Sequence, residues 1–160
     1  MKLSVITVCF NDAVNLEKTI NSVIKIKSEF IEYIVIDGGS TDNTQRILNK
    51  YTSNIDKIIS EKDNGIYFAM NKGIEVSTGD YIIFINAGDL ALDKLHMIKE
   101  DLVLNLDVLL YSVLTSCDGE IVGRISPLNE DLLQLKIKNR SIYTMPCCHQ
   151  GIIAKKDVFL

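Results

Sequence analysis

Carboxylates recur in this chain at the points where apolar runs stop. Tyr81-Ile82-Ile83-Phe84-Ile85 runs into Asn86-Ala87-Gly88-Asp89, and Tyr33-Ile34-Val35-Ile36 runs into Asp37-Gly38-Gly39-Ser40-Thr41-Asp42. Glu61 and Asp63 follow a shorter run that ends at Ser60. Apolar runs of this length suit buried strands, and in an open α/β sheet the ligand crevice lies outside the carboxyl ends of the strands. The acids therefore belong at the edge where a polar ligand would bind. Carboxylates repel phosphate, so such a set implies a divalent cation between acid and phosphate, or hydroxyl and amide donors on the ligand. A ligand with a base, a ribose and a diphosphate offers all of these contacts.

The elements that must hold those acids follow from periodicity. Leu3 to Phe10 is an apolar, β-branched run; Asn11-Asp12 supplies a turn and a helix cap, and Val14, Leu16, Ile20, Val23 and Ile24 recur at helical spacing. Tyr33 to Ile36 is a second strand, followed by a helix capped by Ser40 or Thr41 and carrying Ile47 and Leu48. Ile55 to Ser60 is a short third strand. Asn64 to Val76 reads as a helix, Tyr81 to Ile85 as a fourth strand, and Asp93 to Leu104 as a further helix. Strands alternating with helices predict right-handed crossovers and a mainly parallel sheet with helices on both faces. From Asp107 the pattern changes: Val108 to Leu114 and Glu120 to Ile125 flank Ser116-Cys117-Asp118-Gly119, the signature of an antiparallel hairpin in the second half. Lys155 to Leu160 reads as the opening of a helix, which suggests a truncated chain.

Composition fits one soluble globular domain: 160 residues, 47% apolar and 24% charged. A net charge of -4 argues against a nucleic-acid partner held by phosphate contacts. The local cluster of Lys136, Lys138 and Arg140 reads as a solvated face, with contact to anionic lipid or phosphate as the functional alternative. No apolar run reaches the roughly 20 residues of a membrane span, and the start lacks a secretory signal, so the expected location is cytoplasmic. Cys9 reads as a small buried side chain. Cys147-Cys148-His149 lacks the spacer and the second pair of ligands that zinc requires. A dinucleotide fingerprint is excluded as well, because the turn Cys9-Phe10-Asn11-Asp12-Ala13 contains no glycine.

Four segments, SVITVCFNDAVNLEKTINSV, IEYIVIDGGSTDNT, SEKDNGIYFAMNKGIEVSTGDYIIFINAGD and MPCCHQGIIAKKDVF, occur in this order. Together they resemble the front part of a family 2 glycosyltransferase of the GT-A fold, of the branch that makes bacterial surface polysaccharides. The resemblance implies a single GT-A domain, with residues 1–105 as its nucleotide-binding part and 106–160 as the start of the acceptor side. It implies transfer of a sugar from a nucleotide-diphosphate donor, UDP-linked by expectation, to an acceptor hydroxyl on a saccharide or lipid-linked saccharide, with Mg²⁺ or Mn²⁺ and inversion. Peripheral contact with the inner face of the membrane stays open.

Carried over by position, the resemblance sets Val8 and Phe10 beside the donor base and Asp37 on base or ribose. A second acid often follows in the family, where this chain has Gly38. Asp37 alternatively reads as a turn residue bonding the amides of Gly39 or Ser40. Asp63 stands at a donor-contacting acid, and Lys72 is a candidate for offsetting diphosphate charge, with a solvated lysine as the alternative. Phe68 stands where relatives often carry an acid. The family's Asp-x-Asp metal motif is reduced here to Asn86-Ala87-Gly88-Asp89, which leaves Asp89 as the metal ligand and Asn86 as a carbonyl or ribose contact. The usual catalytic carboxylate lies beyond the Cys-His-Gln stretch, so His149 becomes the candidate for proton transfer; His96 reads as structural. Two other classes remain: a nucleotide-sugar binding fragment without transfer, and a doubly wound receiver or interaction domain holding Mg²⁺ alone. A sugar nucleotidyltransferase is disfavoured by the missing glycine-rich phosphate loop.

Overall fold

The computed structural model describes residues 1–127 and 149–159. Lys136, Lys138, Arg140 and the Cys147-Cys148 pair lie outside the described residues, as does the side chain of His96. The strands are β1 (Leu3–Cys9), β2 (Ile31–Asp37), β3 (Lys57–Ser60), β4 (Tyr81–Phe84), β5 (Val108–Leu110), β6 (Val113–Cys117), β7 (Glu120–Ile125) and β8 (Ile152–Lys155). Six form one sheet in the order β3-β2-β1-β4-β8-β5, and β6 and β7 form a separate antiparallel pair. The helices are α1 (Ala13–Ile26), α2 (Thr44–Lys50), α3 (Ile66–Val76) and α4 (Ile98–Leu102).

The chain divides into two compact units, Met1–Asp107 with Ala154–Leu160, and Val108–Ile153. In the first, β1 and β2 are buried along their whole length and run parallel, and β1 also pairs parallel with β4. Strands buried on both faces need continuous rather than alternating apolar sequence, which is the pattern these segments have. Ile6, Val8, Ile34, Ile36, Ile82 and Phe84 share one face and form a cluster with Ala69 and Ile74 of α3. Side chains of opposite parity point to the other face. The chain builds outward from β1 through β2 to β3 and then returns to the other side of β1 for β4. Right-handed crossovers with that reversal put α1 and α2 on one face and α3 on the other.

At the amino end of the sheet a carboxylate is buried. Glu32 accepts hydrogen bonds from the Ser4 hydroxyl, the Thr78 amide and the Thr78 hydroxyl, with the Lys2 ammonium 3.9 Å away. Burial raises its pKa, but these donors outweigh burial and hold it below the ordinary glutamate value.

Some sequence readings change. Val14 lies outward, 70% exposed, while Ala13, Leu16, Thr19, Ile20, Val23 and Ile26 form the buried face of α1. The expected helix from Asp93 to Leu104 is a 3₁₀ segment, Asp93–Met97, followed by α4. Where a helix is expected to open from Lys155, Lys155 ends a strand, β8, and Lys156–Val158 is a short 3₁₀ turn. The backbone there is drawn to the sheet: the Lys155 amide donates to the Asp107 carbonyl and the Lys156 amide to the Asp80 carbonyl.

In the second unit the expected hairpin forms with its turn at Asp118-Gly119, both in the left-handed region at φ 51 and 87. Two successive positive φ values match the twist of paired strands, which is why Asp-Gly suits this turn. The run expected as one strand, Val108 to Leu114, breaks into β5 and β6, and between them the Tyr111 amide donates to the Gly151 carbonyl.

Candidate functional site

The carboxyl ends of β1, β2 and β3 are level, with Cys9 opposite Asp37 and Asp37 opposite Ser60. The ladder continues past each strand: the Gly38 amide donates to the Cys9 carbonyl, the Glu61 amide to the Asp37 carbonyl, and the Ile85 and Ala87 amides to the Ile6 and Val8 carbonyls. The turns that follow β2 and β4 therefore start on opposite sides of the end of β1. Since the winding direction reverses between β1 and β4, this is the topological switch point, where open α/β sheets bind ligands.

On the β2 side, Asp37 is fully buried. Oδ1 accepts from the Ser40 amide and hydroxyl at 3.1 and 2.5 Å, and Oδ2 from the Gln45 amide at 2.7 Å and the Ser60 hydroxyl at 2.6 Å. The carboxylate thus fastens three segments together, the turn bonding that the alternative reading anticipated for Ser40. Asn11, at φ 50, accepts from the Thr41 amide through Oδ1 at 2.8 Å and donates its own amide to the Ser40 hydroxyl at 2.8 Å. Asp42 accepts from the amides of Ala13 and Thr44, the first residues of α1 and α2. Negative charge at two helix starts is stabilising. Asp42 thus takes the capping role expected of Asp12, Ser40 or Thr41; neither helix has a cap bond from its own N-cap side chain.

Phe10 emerges from this knot 63% exposed. Val8 does not: its side chain belongs to the core cluster beneath α3 and is 5% exposed, which leaves little surface for a ligand. Period-two alternation explains the difference, since Val8 shares its face with Ile6. Cys9 is buried with its thiol 3.7 Å from the Ile36 carbonyl. Burial, then the charges of Asp37, Asp42 and Asp12, push the thiol pKa far above its usual value, so it is no nucleophile.

Asp63 sits in the loop between β3 and α3, half-buried, with Oδ1 accepting the Gly65 amide at 2.8 Å. Lys72 forms an ion pair with Glu61, so its ammonium already has a carboxylate partner. Phe68 is exposed beside Ile66 and Tyr67 at the start of α3.

On the β4 side, Asn86-Ala87-Gly88-Asp89 is a turn closed by the Asp89 amide on the Asn86 carbonyl at 2.9 Å. Gly88, at φ 97, supplies the positive angle that a type II turn needs at its third position. Asp89 Oδ2 accepts the Asn86 amide at 3.1 Å. Thr19 of α1, fully buried, braces the turn: its hydroxyl accepts the Gly88 amide at 3.0 Å and donates to the Asp89 carbonyl at 2.7 Å. Sequence reading missed Thr19, Gln45 and Ser60, and it anticipated Ser40 at Asp37 only through its amide. The signal for Thr19, Gln45 and Ser60 lies in the register and packing of whole elements.

His149 belongs to the second unit, half-buried on a 3₁₀ turn, His149–Gly151. Among the described residues no three of His, Cys, Asp and Glu converge to cage a metal. A single carboxylate on a turn fits the other mode, in which a hard cation takes one or two protein carboxylates and the remaining oxygens from substrate phosphate and water.

A mainly parallel sheet of six strands, helices, a separate hairpin and a switch point flanked by acid-bearing turns define the GT-A architecture. The chain matches the model described as Glycosyl transferase family 2 over residues 4–158 and belongs to that family. A PGL/p-HBAD biosynthesis glycosyltransferase of Mycobacterium bovis is 34% identical over 89 residues, 54% of this chain and 35% of the relative. S. aureus TarS in complex with UDP-GlcNAc superposes with a TM-score of 0.72 at 22% identity, covering 99% of this chain and 46% of that one. Glucosyl-3-phosphoglycerate synthase of Mycobacterium tuberculosis, in complex with Mn²⁺, UDP and glucosyl-3-phosphoglycerate, gives 0.61 at 17% identity, with 98% and 57% covered. The chain thus spans about a third of the curated relative and about half of each solved structure. No helix among the described residues is long and apolar enough to cross a membrane.

Proposed function

We propose that this chain carries the donor-binding part of a glycosyltransferase that moves a sugar from a nucleotide-diphosphate donor, UDP-linked, to an acceptor hydroxyl of a saccharide or lipid-linked saccharide. The carrying observation is the pairing of two acid-bearing turns on either side of the end of β1, at the switch point of a family 2 fold. The UDP and UDP-GlcNAc complexes of structures with this fold support the nucleotide class.

In this reading Phe10 presents an exposed ring to the base, and Asp63 accepts from nucleoside amide or hydroxyl groups. Asp37 acts indirectly, by fastening the loop that presents Phe10 and Asn11. Asp89, with Asn86 beside it, would hold Mg²⁺ or Mn²⁺, which supplies Lewis-acid stabilisation of charge developing on the departing diphosphate. Lys72, paired with Glu61, is the candidate for offsetting diphosphate charge. His149 is the candidate proton acceptor for the attacking hydroxyl.

Turnover separates this reading from a binding module. Incubated with UDP-sugars and saccharide acceptors, the protein should release UDP in step with formation of the glycosylated product. Donor binding with neither release nor product would reduce the proposal to nucleotide-sugar binding.

A further inference from the structure

We infer that Gly38 is a positioning residue: by lacking a side chain it admits the Asp63 carboxylate to the end of β2, where that carboxylate serves the donor. The inference rests on the donor-binding reading above and deepens it. A Cβ built on Gly38 would lie 2.9 Å from Asp63 Oδ2 and 3.3 Å from both Cγ and Oδ1, so the carboxylate fills the space that any side chain at 38 would need. The next residue shows the same accommodation in the backbone. Gly39, at φ 82, would place a Cβ 3.0 Å from Cα and N of Lys62. The β3–α3 loop is thus laid directly upon the two glycines. The Gly38 backbone is held by its amide on the Cys9 carbonyl, so a side chain at 38 would displace the Asp63 carboxylate, which a single bond from the Gly65 amide to Oδ1 now sets in place.

The chain has in effect one carboxylate where a side-chain acid at 38 and Asp63 would compete for a single volume. Two carboxylates at that separation would repel, and one would have to protonate or move. The glycine is therefore the counterpart of Asp63 and not merely a flexible turn residue.

Gly38→Ala is the informative variant, because its backbone lies outside the left-handed region and the atoms it meets are the movable end of one side chain. Calorimetric titration with UDP and thermal unfolding of wild type, Gly38→Ala, Asp63→Ala and the double variant read the two roles apart. Loss of a hydrogen bond to a charged group weakens UDP binding about tenfold or more. Gly38→Ala should show a loss similar to Asp63→Ala, keep its thermal midpoint within about 3 °C of wild type, and cost nothing further in the Asp63→Ala background. Wild-type affinity in Gly38→Ala, or losses that add in the double variant, would overturn the inference while leaving donor binding intact. Failure of the wild type itself to bind UDP would overturn the donor-binding reading and this inference together.

Discussion

Asp89→Asn should remove the divalent-metal contribution to UDP binding while leaving the protein folded. Asparagine keeps an acceptor for the Asn86 amide, which Asp89 Oδ2 now bonds at 3.1 Å, so the turn is spared. The turn is also braced from α1 by Thr19 through backbone atoms alone, a support that no change at the Asp89 side chain removes. What asparagine lacks is the charge. Outer-shell partners of metal ligands typically cost about 10–100-fold in affinity when lost, and the only carboxylate of the β4 turn should cost at least as much. Titrations with UDP in the presence and absence of Mn²⁺ give the comparison. The metal-dependent gain should vanish in Asp89→Asn, with metal-free affinity close to wild type. An unchanged gain would mean that Asp89 serves only the turn.

The second large effect is on stability and lies at the opposite end of the sheet. Glu32 is buried and bonded by Ser4 and Thr78, so Glu32→Gln turns an amide NH₂ toward groups that now donate. Hydrogen bonds to a charged group are worth about 1.5–3 kcal/mol, and a chain of this size loses roughly 2–4 °C per kcal/mol. The expected fall in thermal midpoint at neutral pH is therefore about 3–12 °C. The pH dependence follows from the lowered pKa. A carboxylate whose folded pKa lies below its unfolded value of about 4.3 stabilises fully above that value, and the stabilisation is lost as pH falls through the folded pKa. Wild type and Glu32→Gln should thus converge in acid. Equal midpoints at pH 7, or a gap that stays constant in acid, would contradict this account of Glu32.

The strands that position the site were legible because their burial is written in unbroken apolar runs. Leu3 to Phe10, Tyr33 to Ile36 and Tyr81 to Ile85 could hardly be anything but interior strands, and the acids that follow them mark the carboxyl edge. Asp118-Gly119 was equally plain, since two residues tolerant of positive φ leave few turn types open. β8 was not legible. Ile152-Ile153-Ala154-Lys155 is four residues long, too short for periodicity to separate strand from helix, and it is fixed by partners at Asp107 and Asp80 far away in sequence. Within the site, the positions of Asp63 and Asp89 at loop and turn followed from sequence, but the partners of Asp37 did not. Gln45 and Ser60 reach it because α2 and β3 return to the end of β2, a fact of register that no local pattern carries. Val8 was set beside the donor base by the resemblance, and strand parity turns its side chain into the core.

Gly38 illustrates the limit of motif reading. Taken alone it is a missing acid; with Asp63 against it, it is the space that acid would have needed.

In this reading the carboxyl edge around β1 binds a nucleoside diphosphate with a divalent cation. Isothermal titration of the protein with UDP, with and without Mn²⁺, tests it most directly. Saturable binding that tightens when Mn²⁺ is present is the predicted result, and no detectable binding under either condition would contradict it.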